Sequence, residues 1–387
     1  MKNNLYINSF SSISALGNHP EEIWRSYLQA LPLFTAEDFE DEKTYVSQLN
    51  QAGKVLVKQL QEESTRYENL DPSVLYAIIT ARQVGHNLEK NTDIGVNIGS
   101  SRGATGLFEK YHQQYLQEGK TSPLASPTTT LGNISSWVLQ DLGSSGPEIS
   151  HSITCSTALH GLLNAAAWLK SGMAKQFIVG GSEAPLTKFT IAQMKAVKLY
   201  ALYNEREIWP NRSLEIDKQK NTMILGEASA SFFVSKSKED AIVQILGLGY
   251  ASEKLTHNIS ISKEAKCLQQ SMQKALKEAN LKTVDAIVAH APGTRKGDWA
   301  EINAIKAVFP EKIPLITSNK FLIGHTFGAS GGMSLEMAIL MIQHQQFIPN
   351  PFFLNEESIS ENINTVMVNA VGFGGNAVSV IISKLDN

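Results

Sequence analysis

Thiols are almost missing from this chain: Cys155 and Cys267 are the two cysteines among 387 residues. Two such residues make neither a disulfide framework nor a metal-ligand set. Their scarcity fits a reducing cytosol. Long apolar runs are missing too, so a membrane span is not expected. Residues 1–7 lack the apolar core of a signal peptide, and a cytoplasmic protein is expected. Nor is there an excess of one charge. Lys and Arg total 34 against 37 Asp and Glu, a net charge of −3, which gives no basic surface for nucleic acid. What is present is 42% hydrophobic residue, enough for one large core or two fused units.

The stretch around which the rest is organised is Ser152-Ile153-Thr154-Cys155-Ser156-Thr157-Ala158. A turn-rich segment, residues 143–147, precedes it. The residues after it, 157–169, are small and apolar nearly all round, which predicts a buried helix whose first turn begins at the cysteine. Unpaired N–H groups and the helix dipole there favour thiolate, the nucleophilic form. A packed core cysteine is the other reading that this stretch allows. Cys267 lies in a lysine- and glutamine-rich helical stretch and is taken as incidental.

Strands are expected at residues 5–7, 94–99, 177–184, 229–234, 242–250, 286–289, 314–317, 365–371 and 377–383. Helical spacing covers 21–31, 73–88, 133–142, 264–281, 299–308 and 329–345. Residues 36–68 read as a polar surface excursion, 120–130 as a loop and 203–221 as irregular. The Gly/Ser turn at 100–106 follows a strand and is a weak candidate anion cradle. Residues 228–236, Ala-Ser-Ala-Ser-Phe-Phe-Val-Ser-Lys, echo 376–384, Asn-Ala-Val-Ser-Val-Ile-Ile-Ser-Lys. Each closes a span of alternating strands and helices. A duplicated α/β unit, with two sheets sandwiched by helices, gives such a pattern. The halves are drawn at 1–240, with the nucleophile, and 241–387, with the histidines and the glycine turn.

Three later segments bear on the chemistry. His290-Ala291-Pro292-Gly293-Thr294 ends an apolar strand, where ligands gather in α/β folds. Lys320 precedes His325-Thr326-Phe327-Gly328, which leads into a small-residue helix. Val371-Gly372-Phe373-Gly374-Gly375-Asn376 permits a tight backbone turn close to a ligand. Singly, each histidine also fits a structural role and the glycines an ordinary turn.

Together with Gly180-Gly181-Ser182-Glu183-Ala184 and Gly226-Glu227-Ala228, these motifs resemble the β-ketoacyl-[acyl-carrier-protein] synthases of the thiolase superfamily, over nearly the whole chain. The pattern is the Cys-His-His type of elongating enzymes. The resemblance implies a thiolase-like α/β fold, a five-layered αβαβα sandwich of two duplicated halves. It implies that Cys155 takes an acyl group from the phosphopantetheine arm of an acyl carrier protein. His290 and His325 would stabilise the enolate left when malonyl thioester loses CO2, and condensation would follow. It further implies an oxyanion hole from the N–H groups of Cys155 and Phe373, with Phe373 as an aromatic gate over the cysteine. Lys320 would tune the electrostatics, and Thr294, Gly374 and Gly375 would contact substrate. No metal or resident organic cofactor is implied. A homodimer, or a heterodimer with a chain-length-factor-like protein, is expected.

Several positions depart from that family. Ala291 and Pro292 replace Gly and Thr, and Pro removes a donor. Ser334 stands where a glutamate is usual, and Glu336 lies on nearly the opposite helix side, leaving Lys320 without that partner. Residues 217–223 diverge from Asp-x-x-Arg-Asp-Gly-Phe, and Ala228 replaces a glycine. A specialised fatty-acid, polyketide or aryl-polyene-like pathway is the expectation. The alternative is a non-catalytic chain-length-factor-like partner, against which Cys155, His290 and His325 all weigh. A degradative thiolase would carry a second cysteine near the glycine turn, where none stands. A Cys-His hydrolase leaves the paired histidines and the turn without a role.

Overall fold

The computed structural model describes residues 4–40, 42–85, 93–131, 133–254, 261–353 and 362–385. Its strands are β1 (Leu5–Ile13), β2 (Thr35–Phe39), β3 (Glu42–Ser47), β4 (Gly95–Gly99), β5 (Gln176–Glu183), β6 (Leu225–Gly226), β7 (Ala228–Ser235), β8 (Val243–Ser252), β9 (Ala286–Val288), β10 (Leu315–Thr317), β11 (Thr365–Gly372) and β12 (Asn376–Ser383). β2, β3 and β6 form a small sheet beside the main one.

The main sheet has the order β10-β9-β11-β12-β8-β1-β7-β5-β4. Outward from β1 run β7 (antiparallel), β5 (antiparallel) and β4 (parallel). Outward from β8 run β12 (antiparallel), β11 (antiparallel) and β9 (parallel). The two halves repeat one topology, and the echoing segments β7 and β12 hold equivalent places in it. The halves meet where Leu5–Ile7 of β1 pairs with Val243–Ile245 of β8.

Helices fill three layers. Thr157–Ser171 and Ser330–His344 pack on each other and on strands of both halves. The second of these is buried from Ser330 through Ile342 and mostly small and apolar, as suits a helix covered on every side. Pro72–Val84 and Asn133–Leu142 cover the first half's other face, and Lys266–Ala279 and Arg295–Val308 cover the second's. The central apolar core runs through the middle pair of helices, with an outer core on either side. Each layer therefore buries a matching apolar face.

Some elements differ from expectation. Residues 36–68 are not merely a surface excursion: β2 and β3 form a hairpin, Gln51–Glu63 is a helix, and Tyr45 and Val46 are buried. Ala125–Thr129 is a short helix inside the expected loop. The helix read at 73–88 runs from Pro72 to Val84, and residues 86–88 lie outside the described residues. Cys267 is buried, with its N–H donating to Glu253 Oε2 at 3.2 Å. No described helix is long and apolar enough to cross a membrane.

Candidate active site

Cys155 does not begin a helix turn. It follows Thr154, a β-branched residue held at φ +46°, and precedes the helix that starts at Thr157. The Ser156 N–H donates to Ile153 O (3.2 Å) and the Thr157 N–H to Thr154 O (3.3 Å). These amides are thus spent within the turn. The thiol is buried among Val46, Ile191, Met194, Tyr200, Met223, Leu225 and Phe327. Burial pushes it up to about 12, and the Glu183 charge adds to this. Arg102, the residue's own N–H and Lys320 pull the other way but do not prevail. The expected lowering by a helix N-terminus is therefore overturned: desolvation disfavours the charged sulfur, and the resting form is the thiol.

The glycine turn comes against this segment. A Cβ on Gly372 would overlap the Thr154 hydroxyl and stand 3.1 Å from Cys155 N, so only glycine fits. Gly374 and Gly375 continue the turn at φ +95° and +69°. The Phe373 carbonyl accepts from the Thr154 hydroxyl at 3.3 Å. Phe373 is 36% exposed, and Tyr200 and Phe327 bring aromatic rings into the buried cluster of Cys155.

His290 leaves the end of β9. Its N–H and that of Ala291 both donate to the buried Glu301 carboxylate, at 2.9 and 2.8 Å. His325 is fixed through its main chain, which bonds Ile224 O (2.7 Å) and accepts from Gly226 N–H (3.2 Å). The two rings stand edge to face with centroids 5.1 Å apart. Burial lowers both, His325 to about 3 and His290 well below the ordinary imidazole value, where His325 and Lys320 add to the effect. Both imidazoles are neutral at physiological pH. His325 Nδ1 is buried with no partner among the described residues.

Lys320 is buried as well. Its Nζ donates to Asn319 Oδ1 (2.8 Å) and Ser334 Oγ (3.0 Å). Burial lowers it to about 8, opposed by the charges of Glu301, Cys155 and Asp298. Ser334 thus meets the ammonium with a neutral oxygen. Glu336 is turned elsewhere, accepting from the Tyr27 hydroxyl (3.3 Å) and from Ser12.

The departures at Ala291–Pro292 and at residues 217–223 prove to be neighbours. Thr222 bonds Gly293 O through its N–H (2.8 Å) and hydroxyl (2.9 Å), and Asn211 donates to Pro292 O (3.3 Å). Lys218 Nζ reaches the buried Asp298 at 2.7 Å. Asp298 also accepts from the N–H groups of Leu214, Gly293 and Thr294. The altered loop and the altered histidine turn form one unit. Thr294 occupies the N-cap position of the helix Arg295–Val308 without a side-chain cap bond, its N–H committed to Asp298.

One ligand atom from each of Cys155, His290 and His325 lies within 4.8 Å of the others. A thiol and two neutral imidazoles converge here on one buried spot. The set carries a nucleophile and two hydrogen-bonding groups that change no charge, and it is also a donor set that zinc accepts. Family models now decide the lineage: residues 3–240 match the beta-ketoacyl synthase N-terminal domain and residues 242–353 its C-terminal domain. The chain belongs to the β-ketoacyl synthase family. Among curated β-ketoacyl synthases, the 3-oxoacyl-[acyl-carrier-protein] synthase 2 of Coxiella burnetii is 27% identical over 99% of both chains. Its namesake in Vibrio cholerae is 26% identical over 99% of this chain and 100% of its own. The solved structure described as the ishigamide ketosynthase/chain length factor superposes with a TM-score of 0.85 at 17% identity, covering 99% of both chains. A ketosynthase in complex with its chain length factor from Xenorhabdus doucetiae gives 0.80 at 20% identity, covering 99% of this chain and 98% of that one. The fold is the thiolase-like one of β-ketoacyl synthases.

Sequence reasoning singled out Cys155, His290, His325, Lys320 and the glycine turn, and the structure gathers them. It missed Phe327, Glu301 and the Lys218–Asp298 pair. Asp298 and Glu301 lie in the first turns of the helix Arg295–Val308, but nothing in the sequence aims them back at the His290 turn.

Proposed function

We propose that this protein is a β-ketoacyl-[acyl-carrier-protein] synthase that condenses an acyl thioester with malonyl-carrier protein. The observation that carries the reading is the convergence of Cys155, His290 and His325 within 4.8 Å. The Cys155 sulfur attacks the acyl carbonyl, the carrier's thiol leaves, and an acyl-enzyme remains. Malonyl thioester then loses CO2. The electron pair of the broken C–C bond passes into an enolate whose oxygen the neutral His290 and His325 hydrogen-bond. The carbanion attacks the acyl carbonyl, a C–C bond forms and the Cys155 thiolate leaves. The N–H groups of Cys155 and Phe373 serve the acyl-transfer steps as an oxyanion hole. Lys320 supplies a buried positive charge beside the thiolate while it exists, and Thr294, Gly374 and Gly375 contact substrate.

The phosphopantetheine arm arrives on the carrier protein, and the reaction needs no metal or further cofactor. The pathway is fatty-acid or polyketide-like lipid synthesis in the cytoplasm. The working unit is a homodimer, or a heterodimer with a chain-length-factor-like protein of the kind named beside two of the neighbours. The two halves, 1–240 and 241–387, each supply part of the centre.

Intact-mass measurement tests the first step. Acyl-carrier protein adds one acyl mass to Cys155, and malonyl-carrier protein then discharges it as β-keto product. A Cys155→Ala variant condensing at the wild-type rate sinks the mechanism.

A further inference from the structure

In the Gly/Ser turn at 100–106 several amides are committed to neighbouring groups. The Ser101 N–H is given to Glu183, the Gly103 N–H to Ser100 Oγ (2.8 Å) and the Thr105 N–H to Gly103 O (2.8 Å). What the turn brings to the site is Arg102. Its guanidinium lies over the Phe327 ring, 5.1 Å from the centroid. Phe327 shares the apolar cluster of Cys155, and its ring stands 5.5 Å from that of His325.

Arg102 is half-buried and donates to Gln193 Oε1 at 2.8 Å. Gln193 lies on the helix Lys188–Ala196, whose Ile191 and Met194 also belong to the Cys155 cluster. Among the described residues no carboxylate comes within 4.0 Å of the guanidinium. Glu183 is the carboxylate whose charge reaches it; the amides of Ser101 and Gly328 hold its Oε1, and its Oε2 has no hydrogen-bond partner among the described residues. A guanidinium has five N–H donors in a planar fork. Among the described residues only the bond to Gln193 engages them, and the positive charge acts on the Cys155 sulfur.

An apolar tail laid against this group would strip its water and return no hydrogen bond. A carboxylate would replace that water with a charge-assisted, bidentate pair. We propose that Arg102 receives a carboxylate carried by the acyl group that Cys155 accepts, making the enzyme selective for short acyl chains that end in negative charge. This rests on the acylation of Cys155 proposed above. Malonyl thioester carries the same chemistry, so the test must separate the two sources.

Alkylation of Cys155 gives an arm that needs no turnover. The sulfur displaces iodide from iodoacetate or iodoacetamide, reagents of equal size and different charge, and peptide mass spectrometry reads the modification of Cys155. Arg102→Met lowers the iodoacetate-to-iodoacetamide rate ratio about tenfold or more, as loss of a partly buried ion pair predicts, and Arg102→Lys retains most of it. An unchanged ratio in Arg102→Met overturns the proposal even if no carrier protein acylates the enzyme. The second arm compares acyl transfer from hexanoyl- and adipoyl-carrier protein. Wild type prefers adipoyl and Arg102→Met prefers hexanoyl. A wild-type preference for hexanoyl overturns the proposal. So does an Arg102→Met variant that keeps the adipoyl preference and raises only the KM for malonyl-carrier protein, because the carboxylate bound is then the extender's.

Discussion

Removing the Lys218 ammonium strands the carboxylate that holds the His290 turn. Lys218 and Asp298 lie 2.7 Å apart with side-chain exposures of 2% and 0%. At an effective dielectric of about 20 their attraction is about 6 kcal/mol. Desolvating both ions offsets most of it, so the intact pair adds little net stability. Lys218→Met leaves the desolvation cost of Asp298 without its partner, a loss of about 3–5 kcal/mol. Three backbone N–H groups still solvate the carboxylate, which puts the value near the lower end. Denaturant unfolding followed by tryptophan fluorescence measures it. The loss depends on pH in a fixed sense. Burial already raises the Asp298 pKa in the folded protein, and losing the ammonium raises it further. A carboxyl whose folded pKa exceeds its unfolded one contributes stability that is full below the unfolded value and is lost as pH rises through the folded value. The penalty is therefore smaller near about pH 5 than near about pH 8. Adding Asp298→Asn to Lys218→Met recovers much of the loss by removing the stranded charge. A penalty under about 1 kcal/mol, or an equal one at both pH values, refutes the reasoning.

The Cys155 thiol, pushed up to about 12, predicts that iodoacetamide alkylation accelerates about tenfold per pH unit between about 6 and 8, and a plateau in that range contradicts it. Gly372→Ala forces a methyl into the Thr154 hydroxyl and shifts the nucleophile; condensation falls about 10²-fold, with Thr154→Ala giving partial rescue in steady-state assays. Ser334→Ala takes one of two hydrogen bonds from the buried Lys320 ammonium and costs about 1.5–3 kcal/mol in denaturant unfolding. Treatment with a strong chelator leaves the condensation rate unchanged.

The fold was legible where the chain is apolar and periodic. The helix at 329–345 was visible because small and apolar residues dominate it, and the duplication because β7 and β12 kept similar faces. The site was legible where a chemical residue type meets small neighbours, as at Cys155, His325 and the glycine turn. Polar partners across long sequence gaps were not. Lys218 lies in a loop without periodicity, and only packing brings it to Asp298. Val46 lies in a stretch read as surface because charged neighbours hid a short buried strand. The state of the thiol was misjudged for another reason. Proximity to a helix start is visible in sequence, but the desolvation that outweighs it is a property of the assembled interior.

The shared ownership of the site between two repeated halves has a consequence for biosynthesis. Multidomain chains tend to fold from the N-terminus as they are made. Cys155 leaves the ribosome well before the partner strand β8, His290 and Phe327 exist. During that interval the first half has an unpaired β1 edge where β8 will dock and a thiol whose apolar cluster still lacks Phe327. The period of greatest risk from oxidation and edge-to-edge association is thus the pause before the second half closes over the first.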